Sequence, residues 1–152
     1  MGKDFFNLRW VAWLTGITLL ALAFAVSSFA QDAPTVKYSS AGKNRRVTEM
    51  SNMLGEVEYM ECKRAARLVT GKIVKRDYEE DEFTIASFVV ADARDKRFPI
   101  NLNEATVGVL GHDRNGLISS LLTKGNRVQV WFHECSGGGS GIFFYANRIK
   151  VL

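Results

Sequence analysis

The chain has 152 residues, 24% of them charged, and a formal net charge of +4. That length predicts one domain with a single hydrophobic core. An aromatic content of 11% with two prolines excludes a disordered chain, and so small a positive surplus does not by itself mark a nucleic-acid binder.

Residues 1–30 read as a secretory signal peptide. Lys3 and Arg9 make a short cationic start, and Trp10 to Val26 is an apolar run broken by Thr15, Gly16 and Thr18. Ser28 and Ala30 then place small residues at positions −3 and −1 of a cleavage site, before the polar Gln31-Asp32. An uncleaved membrane anchor is the competing reading, because roughly 17 apolar residues reach the lower limit for a spanning helix. Cleavage after Ala30 removes Lys3, Asp4 and Arg9 and leaves 122 residues with net charge +3. The product is expected in the bacterial periplasm or outside the cell, with no stable membrane span.

Residues 31–60 are expected to be a flexible or partly helical N-terminal segment. The stretch 31–46 is polar and basic, with Pro34 and Gly42. In Thr48 to Met60, the residues Met50, Met53, Leu54 and Val57 fit a helical stripe, although Gly55 interrupts it. Val57 and Tyr59 alternate with Glu56 and Glu58, so the pattern predicts a short helical turn leading into extended chain.

A β domain is expected over 61–152. Leu68 to Arg76 reads as a strand whose internal Gly71 permits a sharp bend or bulge. Asp77 to Glu82 is an acidic turn, Phe83 to Ala91 a second strand, and Arg94-Asp95-Lys96 a polar turn. Arg97 to Leu102 is a short third strand, whose Pro99 suits an edge or a bulge. Asp113 or Asn115 then caps a helix with Leu117, Ile118, Leu121 and Leu122 on one face, ended by Gly125. Val128, Val130 and Phe132 alternate with Gln129, Trp131 and His133 in a fourth strand, and the loop Ser136 to Gly141 leads to a fifth, Ile142 to Val151.

Strand-strand-strand-helix-strand-strand, with a glycine in the first strand and Gly125-Asn126-Arg127-Val128-Gln129-Val130 opening the fourth, resembles the OB fold. That fold is a five-stranded Greek-key barrel with a helix between strands 3 and 4. The likeness covers about residues 64–152 and lies nearest the secreted bacterial tRNA-anticodon-domain-like OB proteins. The long connection Asn103 to Arg114 departs from the simplest members. Cys62 and Cys135 are an even pair in an exported domain and read first as one disulfide. The OB resemblance adds that strands 1 and 4 pair antiparallel, which brings Cys62 and Cys135 to matching ends.

Enzyme signatures are scarce, and the chain reads as a binding module rather than an enzyme. Gly-x-Ser-x-Gly, His-Glu-x-x-His and P-loop patterns do not occur. His112 beside Asp113 is a weak general-base candidate. Staphylococcal-type nucleases use an OB barrel, but Asp92, Asp95 and Arg94 do not map onto their carboxylate and arginine pattern. The run Glu79-Glu80-Asp81-Glu82 is a weak cation candidate, because hard-cation sites need ligands converging from spaced positions. His133, Glu134 and Cys135 stand in a row, yet consecutive strand residues point to opposite faces. No metal site and no cofactor are therefore assigned.

The resemblance implies a ligand surface across strands 2 and 3, rimmed by the 1–2 and 4–5 loops. In this chain those loops are the acidic Asp77 to Glu82 and the glycine-rich Ser136 to Gly141. Arg94, Lys96, Arg97 and Phe98 set cations beside an aromatic ring, and Ser136, Gly137, Gly138 and Gly139 give the opposite loop backbone freedom. A protein or glycan of the cell envelope is the first expected partner, and single-stranded nucleic acid the second. The acidic loop, expected at the same mouth, weighs against the second.

Overall fold

A computed structural model describes residues 33–39, 46–55, 57, 60–137, 139 and 141–152. The chain divides into two units, Met1–Gln31 and Asp32–Leu152, and every described residue belongs to the second. The signal-peptide reading therefore lies outside the described residues, as does Gly138.

In chain order the elements are β1 (Thr35–Tyr38), β2 (Val47–Ser51), β3 (Glu61–Cys62), β4 (Arg67–Tyr78), β5 (Ile85–Ala91) and β6 (Arg97–Asn101). The one-turn helix α1 (Glu104–Val107), a 3-10 segment (Gly108–Asp113) and α2 (Arg114–Leu121) follow, then β7 (Arg127–Ser136) and β8 (Ile142–Val151). All strands join one sheet in the order β1-β2-β8-β6-β5-β4-β7-β3. A further antiparallel pairing of β7 with β8 curls the middle of that sheet into a partial ring. The protein is thus mainly β, with β6 and β8 joined through one parallel residue pair, Asn101 and Tyr145.

Alternation in β4 buries Val69, Gly71 and Ile73 and leaves Lys72 exposed. Residues Arg67 to Lys72 pair with β7, whereas Lys72 to Tyr78 pair with β5. One strand therefore serves two neighbours, its first half pairing with β7 and its second half with β5, and the register with β5 shifts between Ile73 and Lys75. Gly71 sits at the change of partner, and a Cβ there would stand 2.1 Å from the carbonyl oxygen of Ala91. The glycine is required by that close backbone approach, and the irregularity in β4 falls two residues later, between Ile73 and Lys75.

Pro99 lies across from Val89 in a strand with a single residue pair to its second neighbour. Its missing N–H is therefore absent from a side of β6 that makes little use of hydrogen bonds. The expected helix forms as α2, burying Ile118, Leu121 and Leu122, with Leu117 packed at the core margin. Asp113 occupies the N-cap position, but its side chain makes no capping hydrogen bond. Gly125 follows with φ +91, and its N–H donates to the Ile73 carbonyl at 2.9 Å. The long connection before α2 is folded as α1 and the 3-10 segment, kinked at Gly111 with φ 62.

The segment ahead of β3 differs from expectation. Where the apolar spacing predicts a helical turn near Thr48, the chain forms β2, which pairs with β1 on one side and β8 on the other. Asn52 and Gly55 both have positive φ, 59 and 54, so no helix continues past Ser51. Met50 and Met53 are fully buried in the common core, on either side of this reversal. Their spacing of three reflects a strand followed by a turn.

Candidate functional site

The ring's partner exchange sets which side chains gather around Phe132. This residue is buried on β7, and Arg67 of β4 is its direct cross-strand partner. The Arg67 guanidinium carbon lies 5.8 Å from the Phe132 ring centre. The Phe132 ring also meets Phe144 of β8 edge-on at 5.2 Å, and Phe98 of β6 at 6.3 Å. Lys96 places its ammonium 5.2 Å from the Phe98 ring centre. Three rings from three strands therefore carry a cation at two points.

Glu134 completes this group. It sits opposite Phe144 and accepts from Lys63 at 2.5 Å and from Arg67 at 3.5 Å. The Lys63 hydrogen bond, aided by the nearby Lys63 and Arg67 charges, holds the Glu134 carboxyl below its ordinary pKa against the opposing effect of burial. Of the three cations at this mouth, Lys63 and Arg67 thus flank one carboxylate, and Lys96 lies over Phe98. All three cations are exposed, whereas Phe98 and Phe144 are half-buried at the core margin.

The sequence-predicted residues divide across this geometry. Lys96 and Phe98, two apart on one strand face, come together. Arg97 is exposed and lies opposite Ala91 on the other face. Arg94 is exposed in the β5–β6 turn, where its backbone N–H donates to Asp92 Oδ1 at 2.8 Å. Ser136 pairs with Ile142 and with Glu61 at the end of β7. Gly137 follows it, and Gly139 and Gly141 take φ of +79 and +100, values that a side chain would strain. Among the described residues no hydrogen bond or ring contact joins this loop to Arg94–Phe98.

The acidic loop stands elsewhere. It precedes β5, whereas the Arg94–Phe98 group follows it, so the two lie at opposite ends of a seven-residue strand about 20 Å long. The acidic loop therefore does not share the mouth formed by Lys96 and Phe98. Its carboxylates serve local structure. Asp81 accepts from the backbone of Phe83 and Thr84 and from the Thr84 hydroxyl, and these bonds lower its pKa. Glu79 lies 4.0 Å from Arg114, which also meets Glu104 at 3.4 Å. Burial and the nearby Glu104 charge push the Glu79 carboxyl above its ordinary value.

The remaining chemical candidates are placed as follows. His112 and Asp113 are both exposed, and no hydrogen bond joins them. His133 Nδ1 lies 2.7 Å from the Lys63 carbonyl oxygen. Among the described residues no group of three His, Cys, Asp or Glu is arranged to hold a metal ion.

Cys62 and Cys135 are cross-strand partners of β3 and β7 and form a disulfide with Cα atoms 4.0 Å apart. The bridge sits next to Lys63 and Glu134 in sequence, so it fixes the side of the mouth those residues build. Such a bond is compatible with an extracellular compartment. Among the described residues no helix is long and apolar enough to cross a membrane.

Sequence reasoning missed Arg67, Phe132, Phe144, Lys63 and Glu134 as site residues. Each looks like ordinary strand or turn chemistry until the β4–β7–β8 register puts them together. No protein-family model, curated protein or solved structure matches this chain.

Proposed function

We propose that the protein is an exported OB-fold binding module of the bacterial cell envelope, holding an extended protein or glycan ligand against the mouth around Phe132. The partial ring supports the OB reading through its strand order, β4-β5-β6-β8-β7, with β7 returning to β4 and β6 running parallel to β8. The observation that carries the binding reading is the run Lys96–Phe98–Phe132–Arg67, in which exposed cations lie over rings. A disulfide at the rim gives the mouth a fixed edge suited to an oxidising compartment. The half-buried Phe98 and Phe144, backed by the buried Phe132, supply contact area for a sugar or apolar side chain, and the cations supply attraction for acidic groups.

The test is capture from a nuclease-treated envelope extract by the wild-type domain and by Arg67→Glu and Lys96→Glu. A specific envelope partner retained by the wild type and lost by both variants supports the reading, provided their urea midpoints stay near wild type. Retention unchanged by both reversals would sink it.

A second reading, single-stranded nucleic acid, is favoured by one observation: the acidic loop lies at the far end of β5 and does not oppose Lys96. Binding to an oligothymidylate that weakens steeply with salt, and weakens further in Lys96→Glu, would select it.

A further inference from the structure

A separate cleft of about 380 Å³ opens on the outer side of β4, beside the partner change at Gly71. Its volume falls within the range of small-molecule sites, about 300–1,000 Å³. Thr70, Lys72, Asp92, Asp95 and Arg127 line it together with Gly71. It shares the β5–β6 turn with the aromatic mouth but none of the residues that form that mouth.

The charges in this cleft are unusual. Lys72 and Arg127 are direct cross-strand partners, and both are exposed. Like charges directly opposite one another on an antiparallel pair repel. Neither has an ion-pair partner among the described residues. Packing does not call for two exposed cations at this position, and strand pairing is weakened by them.

The facing turn brings two carboxylates with different duties. Asp92 serves the turn, its Oδ1 accepting from Arg94 N–H at 2.8 Å and Lys96 N–H at 2.9 Å. Asp95 has no side-chain partner among the described residues and is held by a left-handed backbone, φ 59. A pair of unneutralised cations and one uncommitted carboxylate thus line the same small cleft without pairing to each other.

We infer that this cleft binds a small zwitterion, its carboxylate held between Lys72 and Arg127 and its ammonium by Asp95. Charge-assisted hydrogen bonds at both ends fix orientation, and the Thr70 hydroxyl adds a neutral donor. The carboxylates at 92 and 95 oppose a polyanion, so the ligand class is a free amino acid, which carries both charges on one small molecule.

The test follows backbone amide shifts while the protein is titrated with glycine, β-alanine, γ-aminobutyrate and ε-aminocaproate, a series that varies the charge separation. Caproate and hexylamine are single-charge controls. At least one amino acid should produce saturable shifts at Thr70, Lys72, Asp95 and Arg127, binding about tenfold tighter than either control. Lys72→Gln and Arg127→Gln should each weaken that binding about tenfold. Asp95→Asn keeps a residue tolerant of the left-handed region and should weaken the amino acid while leaving caproate unchanged. Unperturbed amides elsewhere establish that each variant is folded. Equal binding of caproate and the amino acids, no saturable shift at these four residues, or shifts that survive the cation replacements would each overturn the assignment.

Discussion

At one margin of the sheet, β3 contributes two residues and a disulfide ties it to β7; at the other, the β1–β2 hairpin pairs with β8 and no covalent bond holds it. The hairpin relies on burial and charge. Met50 lies opposite Ile149, and both are fully buried. Glu49 is nearly buried and meets Lys37 and Arg148, each at 3.0 Å. Arg148 then stacks on Trp131 of β7, 4.5 Å from its ring centre. A two-residue strand has too little contact area to hold itself, so a covalent bond does that work. The longer hairpin has a core residue and an ion cluster to hold it, and its attachment is therefore sensitive to packing and pH but not to reductant.

The largest expected effect is at the covalent margin. The bridge spans a sequence separation of 73 residues. Its chain-entropy contribution is about 4 kcal/mol, and removing it should lower the urea midpoint accordingly. Cys62→Ala with Cys135→Ala, compared with wild type in the presence and absence of reductant, measures this. Reductant should affect wild type alone. An unchanged wild-type midpoint after verified reduction would mean that β3 is held by something other than the bridge.

At the hairpin margin, Met50→Ala should cost about 3 kcal/mol, because it removes a fully buried side chain and leaves a cavity. The loss should be the same with and without reductant, which distinguishes the two margins. A cost below about 1 kcal/mol would place the hairpin outside the cooperative core.

These margins also differ in how far they could be foreseen. Strands from Leu68 onward are legible because their apolar residues alternate, and Gly71 marks the place where β4 changes partner. The cysteine pair is legible from its count and from its places next to the first and fourth strands of the expected fold. The hairpin is not legible, since Met50 and Met53 stand three apart and mimic a helical face. Only their place before and after the reversal at Asn52 explains why both are buried. The mouth is half legible. Lys96 and Phe98 lie two apart and share a face in any strand, whereas Arg67 reaches Phe132 through strand register alone. The separation of the acidic loop from Lys96 is legible, because the two flank one strand in the sequence; the expectation of a shared mouth comes from the OB resemblance instead.

The smallest effect separates two carboxylates by the sign of their pH dependence. Burial pushes the pKa of Glu49 up, but the Lys37 hydrogen bond and the charges of Arg148, Lys37 and Lys150 outweigh it, leaving it below the ordinary 4.5. A depressed folded-state pKa contributes stability that is complete above the unfolded value and is lost as pH falls through the folded value. Glu79 behaves oppositely: burial, Glu104 and Asp81 raise its pKa despite Arg114, so its ionisation costs stability as pH rises above 4.5. Urea midpoints of wild type, Glu49→Gln and Glu79→Gln across about pH 3 to pH 7 compare the two. Glu49→Gln should be less stable than wild type at neutral pH, with the gap closing on acidification. Glu79→Gln should gain on wild type as pH rises through the same range. Asp81 and Glu134 also have lowered pKa values, so both variants retain part of the wild-type acid sensitivity, and the differences between curves carry the comparison. A Glu49→Gln gap that is independent of pH would show that the hairpin is held by Met50 and strand pairing without help from the ion cluster.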